Sequence, residues 1–337
     1  MNTSTPMQSA PAPAPIPKPA IPHQRLEQFP IAFFSIIMGI AGLTLAWQKA
    51  HIVLGVPPMI GASLRGAVSA LFILLLVFYA LKTLRYPRAV ITEMRHPVKI
   101  NFFPTVSISL LLLAIAYLES APEAAFWLWV VGAVLHLGFT LLIFGSWLHH
   151  THYDIKHANP AWFIPVVGNI IVPMAGVRLG WPELSWFFFS IGLVFWIVLL
   201  TIVLYRLFFH EALPARLLPT LFILLAPPSV GFIAYTNLTS EIDAFARVLY
   251  YTALFLALLL ASNAVRFLRL PFFLSSWAYS FPLAALTIAT LIMATYLAST
   301  FITGLGVALL ALLSLVVVVL ALRTLFAIGQ REICVPE

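Results

Sequence analysis

Apolar residues in this chain run on for about 17 to 25 positions at a time, broken by short polar, Gly or Pro punctuation. The runs lie near residues 30–48, 63–81, 102–119, 124–148, 161–179, 184–208, 217–237, 245–265, 273–297 and 301–325. A backbone in hydrocarbon must satisfy its own hydrogen bonds, so only helices or closed barrels can span a membrane, and unbroken runs without a two-residue period select helices. The expectation is an all-α integral membrane protein of ten transmembrane helices. The third and fifth runs are the weakest, being short and proline-bearing.

Proline divides the runs into two sets. Every odd-numbered run carries proline at or inside one half, at Phe29-Pro30, Phe103-Pro104, Ile164-Pro165, Pro227-Pro228 and Phe281-Pro282, whereas the even runs carry none. Taking Pro227 for the fourth, the spacings of 74, 61, 62 and 55 residues describe one helical hairpin repeated five times. Five parallel hairpins imply quasi-fivefold symmetry around a central pore. A proline within a membrane helix frees a carbonyl, which is tolerated where it faces protein or a water-filled cavity. Any single proline is explained as well by a helix start, where its missing donor is harmless. Five in phase argue for an inner ring of odd helices inside a sleeve of even ones. The odd runs also hold more small and hydroxyl residues, which suit close packing and pore lining alike. Candidate pore-lining or kink positions are Pro30, Phe34, Gly39, Pro104, Ser107, Pro165, Gly168, Asn169, Pro227, Ser229 and Pro282.

Charge adds orientation. The chain of 337 residues is 62% hydrophobic and only 9% charged. Fourteen of its 18 Lys and Arg fall in the N-terminal region and the loops after even runs, including Lys82, Arg85, Arg88, Arg95 and Lys99 in one segment. The other side has only Lys49, Arg65, Arg178 and Arg247, with acids such as Glu119 and Glu183. By the positive-inside rule both termini are cytoplasmic, which an even number of spans also requires. A bacterial inner membrane is the expected setting. Residues 1–25 read as a disordered, Pro- and Ala-rich cytoplasmic tail without the apolar core of a signal peptide, 26–328 as the transmembrane domain and 329–337 as a short cytoplasmic tail. The single cysteine, Cys334, allows no intrachain disulfide.

Signatures of other classes are missing. No Gly-rich nucleotide loop or dinucleotide fingerprint occurs, and the positive balance reflects loop asymmetry rather than a basic and aromatic surface for nucleic acid. The segment His149-His150-Thr151-His152-Tyr153-Asp154-Ile155-Lys156-His157 has four imidazoles within nine residues. Di-iron membrane enzymes need several such clusters, however, and the other five histidines are scattered, so no enzyme, catalytic residue, cofactor or metal site is expected. Asn237-Leu238-Thr239 fits a glycosylation triplet at a helix end.

Four stretches together resemble a known family. They are Phe29-Pro30-Ile31-Ala32-Phe33-Phe34-Ser35-Ile36-Ile37-Met38-Gly39, Asn159-Pro160-Ala161-Trp162-Phe163-Ile164-Pro165-Val166-Val167-Gly168-Asn169, Ala226-Pro227-Pro228-Ser229-Val230-Gly231 and Trp277-Ala278-Tyr279-Ser280-Phe281-Pro282. The sequence is similar here to the tellurite-resistance and dicarboxylate transporter family, which includes the slow anion channels of plant guard cells. The resemblance implies ten helices in five hairpins, one pore per protomer, a homotrimer, and a gating phenylalanine whose matching position is Phe281. It also implies small anions as cargo, of the chloride, nitrate, sulfite, dicarboxylate or tellurite class. Kinase control through long phosphorylatable termini, as in the plant channels, is not expected.

Mechanism is then a question of coupling. A proton-driven carrier usually needs an ionisable group near the bilayer midplane. No run has an internal Asp, Glu, Lys or Arg, and the one titratable group well inside, His136, lies on an even helix expected to face away from the pore. A passive anion channel is favoured. The alternative on the same fold is a proton-coupled C4-dicarboxylate (malate) transporter or a sulfite or tellurite efflux carrier.

Overall fold

The computed structural model describes residues 22–149 and 153–334, so most of the expected N-terminal tail, three residues of the histidine segment and the last three residues lie outside the description. The described residues fold entirely as helices and connecting turns. The principal α-helices are α1 (Phe34–Leu54), α2 (Pro58–Arg85), α3 (Pro104–Tyr117), α4 (Pro122–His149), α5 (Ile164–Gly176), α6 (Pro182–Phe209), α7 (Ala226–Thr239), α8 (Ala244–Ser262), α9 (Ser280–Leu297) and α10 (Thr300–Gly329). Among the described residues nine helical segments are long and apolar enough to cross a membrane, and the fifth, Pro160–Gly176, is shorter. Every residue of α5 is buried, so this helix meets no lipid and need not match bilayer thickness. A short helix, Pro22–Glu27, begins inside the stretch expected to be tail.

Burial separates the two sets of helices. In the long odd-numbered segments 72% of the apolar window is buried, against 22–33% in the even ones. The exposed residues of the even helices are large and apolar, such as Ile73, Val134, Ile197, Phe255 and Leu315, as a lipid-facing surface requires. Each odd helix packs against the even helix that follows it, and the odd helices also contact one another in a closed circuit: α1 with α3, α3 with α5, α5 with α7, α7 with α9, and α9 back to α1.

The prolines mark a change of helix type. Each odd segment opens as a 3-10 helix, at Ile31–Phe33, Lys99–Phe102, Pro160–Phe163, Ala215–Leu225 and Leu274–Tyr279, then passes into its α-helix. Pro104 is the first residue of α3, Pro165 the second of α5, Pro227 and Pro228 the second and third of α7, Pro282 the third of α9, and Pro30 stands just before the first 3-10 turn. An α-helix cannot run back through a proline without losing a hydrogen bond and meeting the ring, whereas a tighter 3-10 lead can end there. The expected kinks are therefore junctions between helix types. The even helices except α8 are longer than their expected spans, and α2, α4 and α6 start on Pro58, Pro122 and Pro182, which lie before those spans and at the opposite end.

Hydrogen bonds from indole and hydroxyl groups tie sleeve to ring. Trp129 Nε1 donates to Val172 O (2.9 Å), Trp277 Nε1 to Thr324 Oγ1 (2.9 Å), Trp47 Nε1 to Ser314 Oγ (3.2 Å) and Thr140 Oγ1 to Pro165 O (2.8 Å). The closest ring contact, between α1 and α9, depends on Gly39: a Cβ there would fall on Ser280 Oγ and within 2.9 Å of the Trp277 ring. Gly39→Ala is expected to cost about 1–3 kcal/mol and to lower the thermal midpoint of the detergent-solubilised protein. Gly66→Ala, with nothing within 4 Å, should leave it unchanged. Equal midpoints for both variants would show that α1 and α9 do not pack so closely.

Candidate functional site

All five ring helices line one cavity of about 790 Å³ that opens at the basic end of the molecule. Its walls are Ser35 and Met38 of α1, Thr105 and Ile108 of α3, Ile164, Val167, Gly168 and Ile171 of α5, Ala226 of α7, and Phe281 and Pro282 of α9. From the even helices only Lys82 and Ala327 reach it. Its mouth is charged, with Arg88, Lys99 and Arg216 set among Glu27 and Glu332, and its inner end is apolar. Farther along the ring Leu112, Met174, Val230, Ile233, Ala285 and Ile288 are buried. The cavity thus leads from a basic mouth toward a packed, apolar interior.

Phe281 is half-buried at the apolar end of this space. Its ring lies against α1 at Gly42, where an added Cβ would stand 3.4 Å from Phe281 Cδ2. Of the twelve positions singled out from sequence, Phe281, Pro30, Gly168 and Pro282 line the cavity, and eight do not. Phe34 is buried outward, edge-on to Phe72 and Tyr79 of α2. Gly39 faces α9. Ser107 Oγ donates to Pro104 O (2.8 Å) and bonds His136 Nδ1 (2.9 Å). Asn169 Nδ2 donates to Thr140 Oγ1 (3.0 Å) and to Pro165 O (3.2 Å), and Ser229 Oγ to Leu225 O (2.8 Å). Pro104, Pro165 and Pro227 are built into the helix starts behind the wall. His136 is fully buried between α3 and α5, in room that Gly168 provides, since a Cβ on Gly168 would fall on its ring. It is a packing residue outside the cavity lining.

A buried ion pair at the mouth was not evident from sequence. Lys82, at the end of α2, and Glu93, on the short helix Pro87–Arg95, are 4% and 7% exposed and meet at 2.7 Å. Lys82 Nζ also donates to Phe29 O (2.8 Å), while Glu93 accepts from Tyr79 OH (3.1 Å) and from the backbone N–H of Ile31 (2.8 Å). The carboxylate thereby caps the free donor at the start of the first ring segment, where helix polarity favours a negative group. One signal was available: Glu93 is the only acid between Lys82 and Lys99.

Both ends of the described chain meet at this mouth, through Glu27 and through Glu332, Ile333 and Cys334. Burial pushes the Cys334 thiol up to about 11, against the opposing pull of Arg25 and Lys82. In the histidine segment, the Asp154 N–H donates to His157 Nδ1 (3.0 Å), and Lys156 pairs with Asp154 at 2.9 Å and holds its carboxyl below the usual range. His150 and His152 lie outside the described residues. Among the described residues no group of three or more His, Cys, Asp or Glu is placed to hold a metal.

A ring of membrane helices around an axial cavity, with a charged mouth and apolar walls beyond it, defines a channel or transporter rather than an enzyme. The family described as voltage-dependent anion channel matches residues 28–325, and the chain belongs to it. It is 30% identical to the S-type anion channel SLAH2 of Arabidopsis thaliana over 91% of this chain and 61% of that protein. It is 28% identical to the guard cell S-type anion channel SLAC1 of the same plant, over 79% of this chain and 50% of that one. Identity to the tellurite resistance protein TehA homolog of Haemophilus influenzae is also 28%, over 76% of this chain and 79% of that one. The chain spans about half to three fifths of the length of these plant relatives.

The ion pair gives a test. Glu93→Ala leaves the Lys82 ammonium buried without its partner and is expected to cost about 3–5 kcal/mol, whereas the double change Lys82→Met with Glu93→Leu should recover most of that loss. Thermal midpoints in detergent measure both. A Glu93→Ala variant as stable as the parent would mean that the pair is solvated rather than buried.

Proposed function

We propose that the chain conducts small anions passively along the axis of the helix ring, with Phe281 as the closed gate and the basic mouth on the cytoplasmic side. The observation that carries this reading is the position of Phe281 at the apolar end of a cavity lined by all five ring helices. An anion entering from the mouth is first drawn by Arg88, Lys99 and Arg216, whose field repels cations. Past the mouth the walls carry no charge, and the hydroxyls of Ser35 and Thr105 donate to Ala32 O and Phe102 O of their own segments. At the phenyl ring the ion loses hydration without replacement, a barrier of the dewetting kind. With no charged group to coordinate the ion there, selectivity follows dehydration cost, and large, weakly hydrated anions pass most easily.

Passive conduction is favoured over proton coupling because every Asp, Glu, Lys, Arg or His that lines the cavity stands at its mouth, and His136 is behind its wall. The names of the relatives support anions as cargo. The homotrimer that the family resemblance implies belongs to the same proposal.

Phe281→Ala removes the ring and is expected to raise basal anion current at least tenfold over the parent in oocytes or planar bilayers, with a reversal potential that follows the anion gradient alone. Current at background from protein that reaches the membrane would remove Phe281 as the gate. A reversal potential that moves with pH in fixed proportion would replace the channel by a proton-coupled carrier.

A further inference from the structure

The outer side of the chain carries only four Lys and Arg, and the structure uses them unequally. Arg65 donates to Ala116 O (3.3 Å) and lies over the Tyr117 ring, and Arg247 donates to Tyr296 OH (2.8 Å). Arg178 meets Glu119 at 2.5 Å. Lys49 is half-buried and has no hydrogen-bond or ion-pair partner among the described residues.

Helical register places Lys49 and Arg178 on the axis. Eleven residues make about three turns of an α-helix, so residues eleven apart share a face. Lys49 stands eleven beyond Met38, and Arg178 eleven beyond Val167, both of which line the axial cavity. The register of α5 persists past Gly176, because the Leu179 N–H still donates to Ala175 O (3.0 Å). The same step leads from Ala226 to Asn237 on α7, and Glu119, in the turn after α3, is brought to this end by its pair with Arg178. Asn237 is committed through its Nδ2 to Met174 O (3.3 Å). The rim of the ring at its outer end therefore presents two cations and one amide toward the axis, with the carboxylate of Glu119 tethered to Arg178.

We propose that Lys49 and Arg178 form an outer anion-binding site on the ring axis, taking a small inorganic anion of the chloride or nitrate class. Glu119 is its tethered competitor. The Arg178–Glu119 pair is exposed, at 53% and 74%, so the attraction between its members is screened and a mobile anion can displace the carboxylate. Lys49 lacks a counter-ion and is partly removed from water, which makes it the stronger anchor. The site lies beyond the packed interior, at the opposite end from the basic mouth, so an ion crossing the apolar barrier meets a cationic centre on either side. That role rests on the axial path proposed above; the binding itself does not.

Chloride titration of the purified, full-length protein in detergent, followed by 35Cl line broadening, tests the binding. Lys49→Gln and Arg178→Gln should each weaken the saturable component at least threefold, Lys49→Arg should retain it, and Glu119→Gln should strengthen it. Identical titrations for the parent and both Gln variants would overturn the proposal, as would weakening by Glu119→Gln. In a Phe281→Ala background, Lys49→Gln should reduce the current carried by anions entering from the outer side severalfold more than the opposite current; equal reduction would overturn the placement on the axis. Absent current in Phe281→Ala, together with retained Lys49-dependent broadening, would refute the gate and leave the binding site standing.

Discussion

Every backbone N–H and C=O in the hydrocarbon layer must find a partner within the protein, and the arrangement of this chain follows from how that demand is met at five prolines. An α-helix carries its own partners and can face lipid, as α2, α4, α6, α8 and α10 do on their outward sides with exposed Leu, Val, Ile and Phe. A junction between 3-10 and α geometry at a proline cannot, because the ring removes a donor and frees a carbonyl. Such a segment must be covered by other protein. The Pro160–Phe163 lead is buried throughout, and Pro165 O is supplied with donors by Thr140 from the neighbouring sleeve helix and by Asn169 from its own. Five irregular starts at the same end of five helices can all be covered if those helices stand in a ring inside the others, which is the contact circuit observed.

The same constraint explains what could be read in the sequence. The alternation of proline-bearing and proline-free runs carries the inner and outer assignment, because proline reports a need for cover whatever the surrounding side chains are. Unbroken apolar runs carry the spans, except that α5, which touches no lipid, is free of the length requirement that makes spans easy to recognise. The lining was harder to see. Small and hydroxyl residues mark close helix approach as readily as a water-filled path: Gly39, Ser107 and Asn169 serve helix contacts, and Ser229 bonds a carbonyl of its own segment. The cavity wall is instead largely Met38, Ile108, Val167 and Ile171, which composition cannot tell from core. Which face of a uniformly apolar helix points inward is decided by packing, and a sequence without polar contrast does not encode it locally.

Charge is placed by a related rule. Lys82 and Glu93 are a charged pair buried at the mouth, and their burial is offset by partners on every side: the two side chains bond each other, Lys82 reaches a carbonyl, and Glu93 takes a hydroxyl and the open N–H at Ile31. Such a network holds the basic loop against the start of the first ring helix. In sequence it is hidden, since Glu93 is one acid among many bases and nothing local shows that its loop folds back under Phe29 and Ile31.

Between the charged ends the axis holds no ionised side chain, and this fixes the balance between attraction and resistance. A charge in the packed middle would bind an anion strongly and hold it; an uncharged, narrow middle makes dehydration the dominant cost, so passage depends on how much water the ion must surrender. On the proposed path, cationic ends raise the local concentration of anions without adding a trap inside the barrier. In the proposed channel the phenyl ring at the end of the cavity acts through its volume rather than its chemistry, by excluding the water that would otherwise accompany the ion.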